Sequence, residues 1–108
     1  MDNNTLQLET TKDGFLIDSA LWTETIAIQL AQIDTIELTP EHWEVIHFIR
    51  SYYQRFNHLP NARLFVKSVK TELGAEKGNS FYLYRLFPKG PAKYACKFAG
   101  LPKPPGCL

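Results

Sequence analysis

Thr39-Pro40-Glu41-His42-Trp43-Glu44-Val45-Ile46-His47-Phe48-Ile49-Arg50-Ser51-Tyr52-Tyr53-Gln54-Arg55-Phe56 is the stretch that decides the fold. Thr39 is a plausible N-cap, Pro40 suits the first helical position, and Glu41 complements the positive end of the helix dipole. Trp43, Ile46, Ile49, Tyr53 and Phe56 fall on one helical stripe, and Val45, Phe48 and Tyr52 on a second. A helix apolar on two sides is expected to be central to a core. Asn57-His58-Leu59-Pro60 ends it, since proline cannot continue the hydrogen-bond ladder.

Working outward, Pro60-Asn61 opens another helix with Leu64, Phe65, Val66 and Val69 as its apolar residues, ending at Gly74. Residues 22–33 place Trp22, Ile26, Leu30 and Ile33 on one face, with Ser19 or Thr23 as the cap. The aromatic-rich segment 80–87 predicts a helix stopped by Pro88 and Gly90. Residues 91–98 predict a last short helix, broken by Gly100 and the prolines beyond. Near the start, Leu6-Gln7-Leu8-Glu9 alternates, Lys12-Asp13-Gly14 signals a turn and Phe15-Leu16-Ile17 follows, which predicts a small β-hairpin. The expected class is α+β, mainly helical, with the hairpin packed on an orthogonal helical bundle that has a helix-turn-helix-like core. No internal repeat or linker divides residues 1–100, so they are expected to form one domain. Residues 101–108 form a mobile, Pro-rich C-terminal arm in this reading.

At 108 residues the chain can bury roughly two thirds of its unfolded surface and needs no disulfide or metal to fold. Hydrophobic content of 44% and charged content of 21% are ordinary for a soluble domain. Met1-Asp2-Asn3-Asn4 lacks the basic start and apolar run of a signal peptide, and no stretch approaches the ~20 apolar residues of a membrane span. A cytoplasmic protein with reduced thiols and no membrane contact is expected. The net charge of +1 hides an asymmetry. Residues 1–54 carry nine acidic groups against Lys12 and Arg50, whereas residues 55–108 carry ten basic groups against Glu72 and Glu76. Either two solvated faces complement each other, or a basic surface steers acidic partners or RNA.

The chemistry concentrates in Leu101-Pro102-Lys103-Pro104-Pro105-Gly106-Cys107-Leu108. Proline-rich chain favours extended polyproline II, so such an arm carries a thiol on the order of 20 Å from its anchor. Cys107 is read as a thiol that reaches another protein. A thiolate attacks a sulfane sulfur or a disulfide, so access and thiolate fraction govern its reactivity. Lys93, Lys97 and Lys103 favour the thiolate, while the terminal carboxylate beside Cys107 opposes it. Cys96 and Cys107 have ten residues between them, which is neither a C-x-x-C redox motif nor zinc spacing. Cys96 alone reads first as a buried helix residue. If the tail folds back, the two sulfurs could meet, since a disulfide needs Cα atoms roughly 4.4–6.8 Å apart.

His42, His47 and His58 do not make a metal site; His42 and His47 sit five apart on one helix, point to different faces, and read as surface or core-edge residues. No cofactor or metal is expected. Gly74-Ala75-Glu76-Lys77-Gly78-Asn79-Ser80 lacks the phosphate-loop pattern and reads as a turn. The two helices around His58-Leu59-Pro60 resemble a helix-turn-helix, with Arg63, Lys67 and Lys70 on the second, so a DNA-binding regulator is the rival reading.

With these residues in view, the chain resembles the DsrC/TusE family of small sulfur-carrier proteins. The resemblance runs from Asp13-Gly14-Phe15-Leu16 onward. It rests on Leu38-Thr39-Pro40-Glu41-His42-Trp43, Glu76-Lys77-Gly78-Asn79-Ser80, the run from Tyr82 to Lys93, and Ala99-Gly100-Leu101-Pro102-Lys103-Pro104 up to the penultimate cysteine. It implies a helical body with a small N-terminal β-meander and a mobile arm. It implies that Cys107 is the persulfide-carrying cysteine, in a sulfurtransferase-type carrier rather than a self-sufficient enzyme. The TusE branch takes sulfur from a TusBCD-type complex and hands it to the enzyme that makes 2-thiouridine in tRNA, so tRNA is met only through that partner. The DsrC branch works with a DsrEFH-type complex and dissimilatory sulfite reductase. Cys96 matches the second cysteine of the DsrC branch, which would release cargo by forming an internal disulfide.

Overall fold

The structure, a computed structural model, describes residues 8–106. Five α-helices follow one another: α1 (Glu24–Ile33), α2 (Pro40–Phe56), α3 (Ala62–Leu73), α4 (Ser80–Leu86) and α5 (Pro91–Phe98). A single 3₁₀ turn, Ser19–Leu21, precedes them. Side chains at four N-caps accept a bond from the backbone three residues on: Thr23 for α1, Thr39 for α2, Asn61 for α3 and Asn79 for α4. Each satisfies an amide that the first helical turn leaves without a partner. Asn57 ends α2 in the left-handed conformation that asparagine tolerates, at φ 59°.

The expected α+β class is corrected. Among the described residues there is no β-strand, and the fold is helical. The hairpin reduces to one antiparallel bridge between Thr10 and Leu16, with Thr11 N donating to Phe15 O at 2.8 Å and Ile17 N to Glu9 O at 2.9 Å. Leu6 and Gln7 of the expected first strand lie outside the described residues. The physical reason lies in Phe15 and Leu16, which are adjacent and both buried. A strand sends successive side chains to opposite faces, so two neighbours buried together break its period. The turn instead drives both side chains into the helical core.

α2 contributes His42, Val45, Ile46 and Ile49 to the core, but it is not the hub. That place belongs to α5, which packs against each of the other four helices. Pro91, Ala92, Ala95, Cys96, Lys97 and Phe98 are all buried there. The short side chains of Ala92 and Ala95 let neighbouring helices approach, while the Phe98 ring meets Phe87 at a tilt and Tyr94 edge-to-face. Lys97 is tolerated inside because its Nζ lies 2.8 Å from Asp34 Oδ2 at the C-cap of α1. Gly78 admits no side chain: a Cβ there would stand 2.1 Å from Lys70 Cα, so the loop after α3 presses directly on that helix.

His42 is buried rather than on the surface. Its Nδ1 accepts from Thr39 N at 3.0 Å and its Nε2 donates to Leu86 O at 2.7 Å, which ties the start of α2 to the end of α4. Accepting at Nδ1 fixes the Nε2–H tautomer. His42→Ala is expected to lower unfolding free energy by about 2 kcal/mol, from the lost cap and the abandoned Leu86 carbonyl. Urea unfolding checks this; His42→Gln, which can rebuild the cap, should recover part of the loss.

Candidate functional site

The segment leading to Cys107 begins where α5 stops, and that stop is built from several directions. Gly100 N donates to Lys97 O at 3.1 Å and Leu101 N to Cys96 O at 3.0 Å. This pair of reversed bonds, with Gly100 left-handed at φ 70°, is a Schellman C-cap. The remaining carbonyls of the last turn are met by distant side chains. Trp22 Nε1 donates to Phe98 O at 2.8 Å, and Arg50 Nη1 donates to Ala99 O at 2.8 Å. The Arg50 guanidinium also lies 4.1 Å from the Trp22 ring centroid. Desolvation beneath the ring pulls the Arg50 pKa down from its ordinary value. A Cβ on Gly100 would fall 2.4 Å from Trp22 Cδ1, so indole and backbone fit each other closely.

Beyond Gly100 the chain stays against the body. Leu101 is buried and Pro104 is buried, with Pro102 exposed between them. Lys103 Nζ reaches Asp13 Oδ2 at 2.8 Å, tying the segment to the N-terminal turn. The bond from Lys103 and its charge hold the Asp13 carboxyl below the usual range, with smaller help from Lys93 and Lys97. A depressed carboxylate pKa means the tie is present at neutral pH and opens only as pH falls through that lowered value.

Of the two candidate thiols, Cys96 is fully buried on α5, and its own carbonyl accepts from Leu101 N. Cys107 lies outside the described residues. Two of the lysines expected to favour a thiolate have carboxylate partners: Lys97 is with Asp34 and Lys103 with Asp13. Trp22, Arg50 and Asp13 were not identified from the sequence as parts of this site. The signal for Arg50 was present, since it is one of only two basic residues before position 55 and sits on a largely apolar helix. Among the described residues no group of three His, Cys, Asp or Glu side chains could hold a metal. Among those residues, no helix is long and apolar enough to cross a membrane.

A small helical body with a pinned C-terminal root and a cysteine-bearing extension defines a class of compact, thiol-bearing domain. The family model described as DsrC like protein matches residues 2–108, and the chain belongs to that family. It is 54% identical over 105 residues to the sulfurtransferase TusE homologue of Haemophilus influenzae, covering 97% of this chain and 96% of the relative. Among solved structures it is similar to Allochromatium vinosum DsrC, determined by NMR, with a TM-score of 0.87 and 46% identity over 100% of this chain and 96% of that one. It is also similar to the oxidised γ-subunit of the dissimilatory sulfite reductase (DsrC) of Archaeoglobus fulgidus, with a TM-score of 0.80 and 44% identity, covering 94% and 92% of the two chains. The DNA-binding reading gains no support from these relatives. On α3, Phe65 and Val69 are core residues.

Proposed function

We propose that this protein is a sulfur carrier in a sulfur relay, with its cargo held as a persulfide on Cys107. The observation that carries this reading is the anchored root at Gly100, from which a Pro-rich segment leads to a cysteine inside the family match. Residues 101–108 act as an arm in this proposal. Leu101, Lys103 and Pro104 dock its first half, and release of that half presents Cys107 to partners.

Loading is redox-neutral. The Cys107 thiolate attacks the outer sulfur of a donor persulfide, the donor S–S bond breaks, and the donor leaves as a thiolate. Discharge to an acceptor thiol repeats the exchange in the other direction. Cys96 offers a second exit: its thiolate attacks the inner sulfur of the Cys107 persulfide, forming a Cys96–Cys107 disulfide and releasing hydrosulfide. One S–S bond breaks as another forms: the Cys96 sulfur is oxidised from thiolate to disulfide level, the outer sulfur is reduced to hydrosulfide, and the Cys107 sulfur keeps its oxidation state, so the electrons balance. Burial of Cys96 makes this route slow unless the end of α5 loosens.

The partners are proteins of a sulfur relay. The donor is of TusBCD or DsrEFH type, and the acceptor is a tRNA thiouridylase or dissimilatory sulfite reductase, with tRNA reached only through the former. The setting is the cytoplasm, where thiols remain reduced. Incubating the reduced protein with a sulfane-sulfur donor tests the carrier reading. Intact mass spectrometry should show a gain of about 32 Da, one sulfur per chain, reversed by dithiothreitol. A chain that gains no sulfur under conditions that load a known persulfide carrier overturns it.

A further inference from the structure

We propose that the groove between α3 and the α4–α5 corner docks an acidic amphipathic helix of a partner protein. The inference starts from how the basic half of the chain spends its charges. Arg55, Lys77, Lys97 and Lys103 pair with Glu72, Glu44, Asp34 and Asp13. Arg63, Lys67 and Lys70 form no ion pair with any described residue, and all three are exposed. Their spacing of four and three residues puts them on one face of α3.

That face forms one rim of an open depression of about 660 Å³. The floor is apolar and small, formed by Val66, Pro91 and Ala92. Across from the lysines, Tyr84 makes the other lip and is half exposed. Phe81, one turn earlier on α4, is 74% exposed, a costly placement for a phenyl ring that nothing covers. No acidic side chain lines the groove. α3 packs on α5, and the loop at Gly78 lies against the Lys70 backbone, so the groove is preformed.

These features select among anionic partners. Cations on one rim favour carboxylates or phosphates equally. The floor decides between them, because aliphatic side chains offer nothing to a sugar–phosphate strand. They do fit the apolar stripe of a helix, whose acidic flank would then face α3. The half-exposed Tyr84 ring at the lip suits an anchor of such an interface. The inference rests on the sulfur-relay reading for the existence of a partner and adds the chemistry of its docking segment.

The test uses the full chain carrying Cys107→Ser, so that no sulfur chemistry enters. The ¹⁵N-labelled protein is titrated with a synthetic helix of about 18 residues, leucines on one stripe and glutamates beside them. A second peptide has lysine for glutamate, and poly(U) RNA is a third probe. The glutamate peptide should shift amides of residues 63–70, 84 and 92. Lys67→Glu with Lys70→Glu should weaken it at least tenfold and turn the preference toward the lysine peptide. Both side chains are exposed, so circular dichroism should be unchanged. Shifts confined to other surfaces, equal binding by the charge-reversed chain, or tighter binding of poly(U) at these amides each overturn the proposal. Sulfur loading of the same charge-reversed pair, with Cys107 intact, is measured separately. Normal loading beside lost peptide binding supports the groove and keeps the two readings distinct.

Discussion

Gly100→Ala is expected to destabilise the protein by about 3–5 kcal/mol, a large share of the roughly 5–15 kcal/mol that holds a domain of this size together. Three effects add. Alanine in the left-handed conformation costs about 1–2 kcal/mol. Its Cβ would strike Trp22 at Cδ1, Cγ and Cβ, at 2.4, 2.8 and 2.9 Å. Because the clash reaches the root of the side chain, rotating the indole does not relieve it. Trp22 must then give up its bond to the Phe98 carbonyl, leaving an acceptor worth about 1–3 kcal/mol unsatisfied. The Arg50 stacking, about 0.5–2 kcal/mol, is disturbed as well. The thermal midpoint should fall by about 10–20 °C. In a Trp22→Ala background the same glycine substitution should cost only the backbone part, about 1–2 kcal/mol. An equal cost in both backgrounds would mean that indole and glycine are not coupled.

How far the chain could be read from its residues differed from element to element. α2 and α3 were legible because their signals are local: Thr39 with Pro40 and Asn61 mark the starts, and Asn57 and Gly74 the ends. The role of α5 was not legible. Lys93 and Lys97 interrupt its apolar run, and Ala92 and Ala95 look neutral in a periodicity count. Its centrality comes from what small side chains permit, close helix approach, and from Asp34 neutralising Lys97. Both depend on residues far away in sequence. The hairpin misled because Phe15-Leu16-Ile17 is apolar enough for a strand, and only tertiary packing reveals that two neighbours point inward. Ile33, placed on the inner face of α1 by its spacing, is 70% exposed at the helix end.

In the site, the cysteines and the Pro-rich extension could be seen directly, and Gly100 was recognised as a breaker. What holds Gly100 in place could not be seen. Trp22 lies 76 residues before Phe98, and Arg50 lies 49 before Ala99. A long-range cap leaves no periodic trace at either end. The same holds for His42, whose reach to Leu86 spans 44 residues. Local chemistry therefore pointed to the thiols, whereas the cap at Gly100 from which the Pro-rich segment leads became visible only in three dimensions.

The second large effect concerns the thiols themselves. Cys107→Ser is expected to abolish sulfur loading, a loss of at least 100-fold in the loaded fraction, because a hydroxyl is not ionised near neutral pH and forms no persulfide. Cys96→Ser should load normally, since Cys96 is fully buried and a donor complex cannot approach it. It should also slow spontaneous release of hydrosulfide, by removing the thiol that closes the internal disulfide. A Cys96→Ser chain that loads and discharges as wild type does would leave Cys96 as a packing residue. Stability separates the two substitutions further. Serine at position 96 places a hydroxyl in the core, with a penalty of about 1–3 kcal/mol, so unfolding should be followed beside loading.

The most direct measurement is peptide mapping by tandem mass spectrometry after brief exposure to a sulfane-sulfur donor and alkylation, on wild type and both serine variants. The account predicts one added sulfur, located on Cys107 in wild type and in Cys96→Ser, and none in Cys107→Ser. Sulfur found on Cys96, or undiminished loading of Cys107→Ser, would contradict it.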